Sequence, residues 1–117
     1  MDAGRESDIV YVAHMLECIE RVLLYSQGDS ELFLRSKLVQ DGVLRNLQIM
    51  AESSQRLTEV AKAYAPEVPW RAIAGFRNVI VHEYLGVDLA VIWQVVVVNL
   101  PLLKTGLHNI QIALGQT

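Results

Sequence analysis

From residue 89 to residue 114 the apolar positions never leave a helical step. Leu89, Ile92, Trp93, Val96, Leu100, Leu103, Leu107, Ile110 and Leu114 follow one another at intervals of three and four. A helix advances 100° per residue, so these side chains share one face. The four consecutive valines at 95–98 are a strand signal taken alone, because β-branched residues favour sheets. The helical phase continues on both sides of them and overrules it. Asp88 is placed to cap the start, and Pro101 predicts a kink or a break. Val95 and Val98 widen the apolar surface beyond one face. Such a helix is either enclosed at the centre of the fold or lends a face to a second subunit, and we favour the second.

The rest of the chain repeats this periodicity. Ile9, Val12, Leu16, Ile19 and Leu23 mark a helix over about 7–27, with Ser7 as cap and Gly28 as a left-handed stop. Asp29 and Ser30 then cap a short turn through Phe33 and Leu34. Val39, Val43, Leu47, Met50, Ser54, Leu57 and Ala61 form an unbroken stripe, which predicts a second long helix over about 36–64. Gly42 inside it costs roughly 1 kcal/mol against Ala. Pro66 and Pro69 bound a linker, and Pro69 opens a third helix carrying Trp70, Ile73, Phe76 and Ile80, which Gly86 ends. The expected fold is all-α: an up-and-down bundle of four to five helices forming a single domain over 1–117.

With 52% hydrophobic and 20% charged residues, 117 residues can bury a core and are not a disordered segment. The net charge of −3 excludes a generally basic nucleic-acid coat. Any nucleic-acid contact must therefore be local, built from a few Arg and Lys brought together by folding or assembly. Cys18 is the sole cysteine and sits among apolar neighbours. It reads as a buried thiol, and a reducing cytoplasm is the simplest compartment. The start, MDAGRESD, has no apolar core of a signal peptide. The charge-free run 89–103 holds 15 residues with Gln94 and Asn99 among them, too short and too polar for a membrane span.

Against this background residues 77–84, RNVIVHEY, stand out. Arg77 and Tyr84 are seven apart and lie almost in line on a helix, and Asn78 and His82, four apart, share a face. Taken singly, each is more often a solvated or packing residue. Taken together, they form a polar patch at the end of the third helix. A His near neutral pKa moves protons, an Arg grips a phosphate by two hydrogen bonds, and an Asn orients either. The set suits metal-free cleavage of RNA, in which the 2′-OH attacks the adjacent phosphate. One His does not easily fill both proton roles, whereas two copies facing each other would supply two His and two Arg.

Arg77, His82 and Tyr84 also fit the R-x4-H-x-Y pattern of the HEPN superfamily. Together with VLRNLQIMAES (43–53), VPWRAIAGFRNVIVHEYLGVD (68–88) and IWQVVVVNLPLL (92–103), they make the chain resemble the HepT-like toxins of HEPN/MNT toxin–antitoxin modules. The resemblance spans roughly the C-terminal two-thirds. It implies a HEPN-type bundle that dimerises through the motif-bearing face and acts as a prokaryotic ribonuclease toxin. Arg77 and His82 would be catalytic, with Asn78 beside them, and no cofactor is implied. The implied partner is an MNT-type nucleotidyltransferase antitoxin that transfers AMP from ATP to Tyr84. A bulky anion there would repel RNA. One departure is Ala51-Glu52-Ser53 where the family pattern has Gly-Glu-Ala, which leaves the role of Glu52 open.

Three rival readings have distinct signatures. HEPN-like bundles also serve as non-catalytic nucleotide- or substrate-binding partners of nucleotidyltransferases, and cleavage separates that reading from the toxin. A metal protein would need more than His14, His82 and His108, which form no HExxH motif and no Cys/His cluster. A purely structural bundle would make RNVIVHEY incidental. Arg45 and Asn46 on the second helix are candidates to line an RNA groove, and Lys104 with His108 to form a basic rim, although each is more simply a solvated face. Trp70 and Trp93 read as core, with base stacking as the functional alternative.

Overall fold

The structure, a computed structural model, describes residues 3–82, 86 and 88–115, and at 81 and 82 the backbone alone. Helices account for almost all of them: α1 (Ala3–Ser26), α2 (Ser30–Arg35), α3 (Lys37–Ser54), α4 (Glu59–Ala63), α5 (Trp70–His82) and α6 (Leu89–Ala113). Among the described residues there is no strand, so the valine run is helical and the chain is an all-α bundle of HEPN type. The described residues form six helices where four to five were expected. α1 lies along α3 and α6, while α5 packs on α3.

Val12, Met15, Ile19 and Val22 of α1 meet Val43, Leu47 and Met50 of α3 and Ile92, Val96, Leu100, Leu103, Leu107 and Ile110 of α6, all buried. Cys18 is buried among them, and burial pushes its thiol pKa up, as an inert core cysteine requires. Phe33 of α2 is fully buried and stacks on Trp93, with ring centroids 5.2 Å apart. Trp93 is therefore core, as the sequence suggests.

Two helix boundaries differ from expectation. α1 starts at Ala3 rather than Ser7. The stretch 36–64 is not one helix: α3 ends at Ser54, and Thr58 caps a separate α4, its hydroxyl accepting from Ala61 N–H. The cause is Asp8. Its carboxylate is buried, 2% exposed, and accepts from Thr58 N–H (2.9 Å) and Thr58 Oγ (2.6 Å). A helix running through Thr58 would spend that N–H on its own backbone. Leu57 and Ala61 remain buried across the break, so the apolar stripe persists while the helix does not.

Gly28 is left-handed, as expected (φ +66°), and Gln27 before it also takes φ +55°. Asp29 caps α2 by accepting from Glu31 and Leu32 N–H. In α6, Asp88 accepts from Ala90 and Val91 N–H. Residues 95–99 wind as a π-helix, with Leu100 N–H reaching Val95 O. Pro101 has no N–H to give, and its ring would crowd the carbonyl four residues back. The widened turn relieves this, so the helical run continues to Ala113 without a break, and the disturbance expected at Pro101 takes the form of the π-helical turn before it. Gly106 lets the linker press against α6: a Cβ there would stand 2.5 Å from Val68 Cγ2 and 3.2 Å from Ala65 Cβ.

One side of α6 is core, whereas Val91, Val97, Val98, Leu102 and Ile112 on the other are exposed. The helix is therefore not enclosed. Its 25 residues are long and apolar enough, by length and composition, to cross a membrane, which corrects the figure drawn from 89–103 alone. Its buried side is committed to α1 and α2, an arrangement also shared by core helices of soluble domains.

Candidate functional site

Arg45, Gln48 and Glu52 stand three, four and seven residues apart, which places them on one stripe of α3. α5 packs on this helix and delivers Arg77 to the stripe. Arg77 Nε donates to Glu52 Oε1 at 3.2 Å, and Gln48 Nε2 donates to the same oxygen at 3.2 Å. Both ion-pair partners remain open to solvent, Arg77 at 36% and Glu52 at 40%. The Glu52 carboxyl is held below the usual carboxylate range, first by the Gln48 hydrogen bond, then by the hydrogen bond and charge of Arg77, with the Arg45 charge adding to them and partial burial opposing. An exposed pair adds little stability. What it does is restrict the guanidinium, the group with most rotamer freedom at the site.

The role left open for Glu52 thus has a structural answer: it tethers Arg77. The seven-residue spacing of Arg45 and Glu52 puts them on one stripe but carries no mark of Arg77, 25 positions on. Arg45, a groove candidate, does come to this surface. Asn78 is exposed on the next position of α5. His82 is the last residue of α5, and its backbone position is roughly 140° round the axis from that of Arg77 and about 7.5 Å further along. Asn78 and His82 occupy one face of the helix, as the spacing predicted. Tyr84 and Glu83 lie outside the described residues.

Other candidates go elsewhere. Lys104 Nζ pairs with Glu20 Oε1 at 2.9 Å, bridging α6 to α1 rather than joining the α3–α5 surface. His108 Nδ1 lies 3.3 Å from Gln111 Oε1 of its own helix. Asn46 is buried and donates to Gly42 O at 2.9 Å, which makes it a packing residue and not a groove residue. Among the described residues no three His, Cys, Asp or Glu side chains cluster in a way that could hold a metal ion.

Charge is distributed unevenly along the chain. Residues 45–80 hold five cations (Arg45, Arg56, Lys62, Arg71, Arg77) against three carboxylates (Glu52, Glu59, Glu67), whereas residues 1–44 hold four cations against eight carboxylates. The net value of −3 conceals this local positive surplus. The surplus falls on α3, α4, α5 and their links, where the candidate site is.

The chain is similar to known proteins. Residues 15–110 match the family described as Ribonuclease HepT-like. A Thermococcus cleftensis protein named "Probable ribonuclease HepT" is 36% identical over 95 residues, covering 80% of this chain and 86% of that one. A Methanocaldococcus jannaschii protein named "Putative RNase" is 28% identical over 95 residues, covering 80% of this chain and 87% of that one. Another from the same organism, named "Gamma-glutamylcyclotransferase and putative RNase", is 34% identical over 96 residues. The match spans 81% of this chain but 43% of that longer relative. No solved structure matches the chain.

Proposed function

The chain belongs to the HepT-like ribonuclease family, and from that premise we propose that it is the toxin of a toxin–antitoxin module, an endoribonuclease that cuts RNA without a metal. The observation that carries this reading is Arg77: half-exposed, tethered at Nε by Glu52, and set on the chain's locally positive surface. A guanidinium held at Nε keeps its terminal nitrogens for a second acceptor, and a phosphate fits that fork.

In the proposed step the 2′-oxygen attacks the neighbouring phosphorus and the 2′ proton passes to a base. The 5′-oxygen leaves with a proton from an acid, and a 2′,3′-cyclic phosphate remains. His82 supplies proton transfer, Arg77 stabilises the charge gathering on the phosphate, and Asn78 orients the group it holds. Within one subunit the backbone positions of Arg77 and His82 are well apart around α5. This supports a composite site in which two copies contribute Arg77 and His82 across a cleft. The exposed apolar side of α6 supplies surface for such pairing. We further propose control by an MNT-type nucleotidyltransferase, which moves AMP from ATP onto the Tyr84 hydroxyl with release of pyrophosphate. The adduct places a phosphate beside the site and repels RNA.

The test is cleavage of RNA by the purified chain in EDTA, with its mass checked for AMP on Tyr84. The parent produces 2′,3′-cyclic ends, and Arg77→Ala and His82→Ala each lose at least about a hundredfold in rate, roughly 2.7 kcal/mol of transition-state stabilisation, while melting like the parent. An unmodified parent that cuts no RNA, tRNA included, overturns the reading.

A further inference from the structure

A second feature of the positive surface has no part in the cleavage scheme. Gln55, Glu59, Lys62, Trp70, Arg71 and Ala74 line an open cavity of about 350 Å³ where the α3–α4 link and α4 meet the start of α5. That is the lower end of the range for small-ligand sites. Arg71 and Asn78 are seven residues apart on α5, hence nearly in line and about 10 Å apart along the axis. Ala74 lies between them on the same face. The cavity therefore lies on the face of α5 that also carries Asn78 and the His82 backbone position, about three stacked base steps from the first and about five from the second at roughly 3.4 Å each.

The lining combines two chemistries. Arg71 is exposed and makes no ion pair among the described residues. Lys62 is nearby, 20% exposed and loosely paired with Glu59 at 3.6 Å, while Glu59 itself is 93% exposed and can swing into solvent. Trp70 is immobilised: its Nε1 donates to the carbonyls of Lys62 (3.3 Å) and Ala65 (3.1 Å). Gln55 Nε2 donates to Ala74 O at 3.2 Å, fixing the opposite wall. A held indole beside cations is the lining that single-stranded nucleic acid uses, with the base on the ring and the phosphate on the cation. Trp70 packs against the core with part of its surface left open, and an unpaired Arg beside it is not needed to close that core.

We propose that this cavity is a nucleotide subsite, which holds one nucleotide of single-stranded RNA beside the cleavage site, its phosphate on Arg71 and Lys62 and its base against Trp70. The proposal rests on the ribonuclease reading for its substrate, but binding tests it separately from cleavage. The probes are 2′-O-methyl octauridylate and octaadenylate, which lack the attacking hydroxyl. The parent binds at least one of them and its tryptophan fluorescence is quenched. Arg71→Ala weakens binding about tenfold and flattens the dependence of log affinity on log salt by about 0.7, a change that a merely structural role does not produce. Trp70→Phe keeps an aromatic wall and abolishes the quench, since Trp93 is buried against Phe33.

Binding of neither oligomer by the parent, or affinity within twofold of the parent in Arg71→Ala, overturns the subsite. If RNA is cut and Arg71→Ala leaves KM unchanged, the subsite falls and the ribonuclease stands. If RNA is never cut while Arg71-dependent binding and quenching persist, the subsite stands and the ribonuclease reading falls.

Discussion

The carboxylates of Asp8 and Glu52 each accept two hydrogen bonds, and they do opposite things. Asp8 is 2% exposed and takes the N–H and hydroxyl of Thr58 at 2.9 and 2.6 Å. Glu52 is 40% exposed and takes Gln48 and Arg77, both at 3.2 Å. Around Asp8, water is excluded and each unmade bond costs its full desolvation, so the contact decides where a helix ends. Around Glu52, water competes for every partner, so the contact contributes little to stability and serves to aim a side chain. Hydrogen-bond number does not separate structure from function here; burial does.

That contrast predicts a graded series. Asp8→Ala strands the Thr58 N–H and hydroxyl and costs about 2–4 kcal/mol. Calorimetry then shows the melting temperature down by roughly 10 °C. A loss of under 2 °C would mean that water satisfies Thr58 and the contrast is false. Gly106→Ala asks whether the linker beside α4 is packed as tightly as the core. Its Cβ meets Val68 and Ala65, for a cost of about 1–3 kcal/mol in urea unfolding. Thr58→Val keeps the shape and the N–H but deletes the hydroxyl that caps α4 and binds Asp8, costing about 1–2 kcal/mol.

Glu52→Gln is the counterpart at the exposed carboxylate. Stability changes by less than about 0.5 kcal/mol, while the RNA cleavage rate falls about tenfold because Arg77 loses its charged tether. Equal losses in stability and rate would dissolve the distinction between the two sites.

The smallest effect is in pH. The folded pKa of Glu52 lies below its unfolded value, so its contribution is complete above the ordinary carboxylate pKa of about 4.3. It is lost as pH falls through the lower folded value. A carboxyl-detected NMR titration places its midpoint below that of an exposed Glu. Gln48→Ala and Arg77→Ala each raise this midpoint, the first by removing the leading hydrogen bond and the second by removing a hydrogen bond and a charge together.

Much of this was legible in the residues. Asp88, Asp29 and Gly28 fulfil the end-of-helix roles expected of them, because capping is local chemistry between neighbours in sequence. The identity of the motif residues was equally visible, since their types and spacing are the signal. The break at Thr58 was not, because the apolar stripe runs through it and the residue responsible, Asp8, is 50 positions away. The tether on Arg77 was hidden for the same reason: Glu52 lies 25 positions earlier. The ion pair of Lys104 was hidden likewise, because its partner, Glu20, is on another helix.

The sequence by itself therefore determined helix content, the apolar faces and the chemistry available, all of which depend on contacts within a few residues. Only the tertiary structure decided where the second helix stops, which cation is spent on an ion pair, which is aimed by one and which stays open beside Trp70. Those outcomes depend on desolvation and on partners supplied by distant segments, and a carboxylate or a guanidinium carries no mark in the sequence of how much water will surround it.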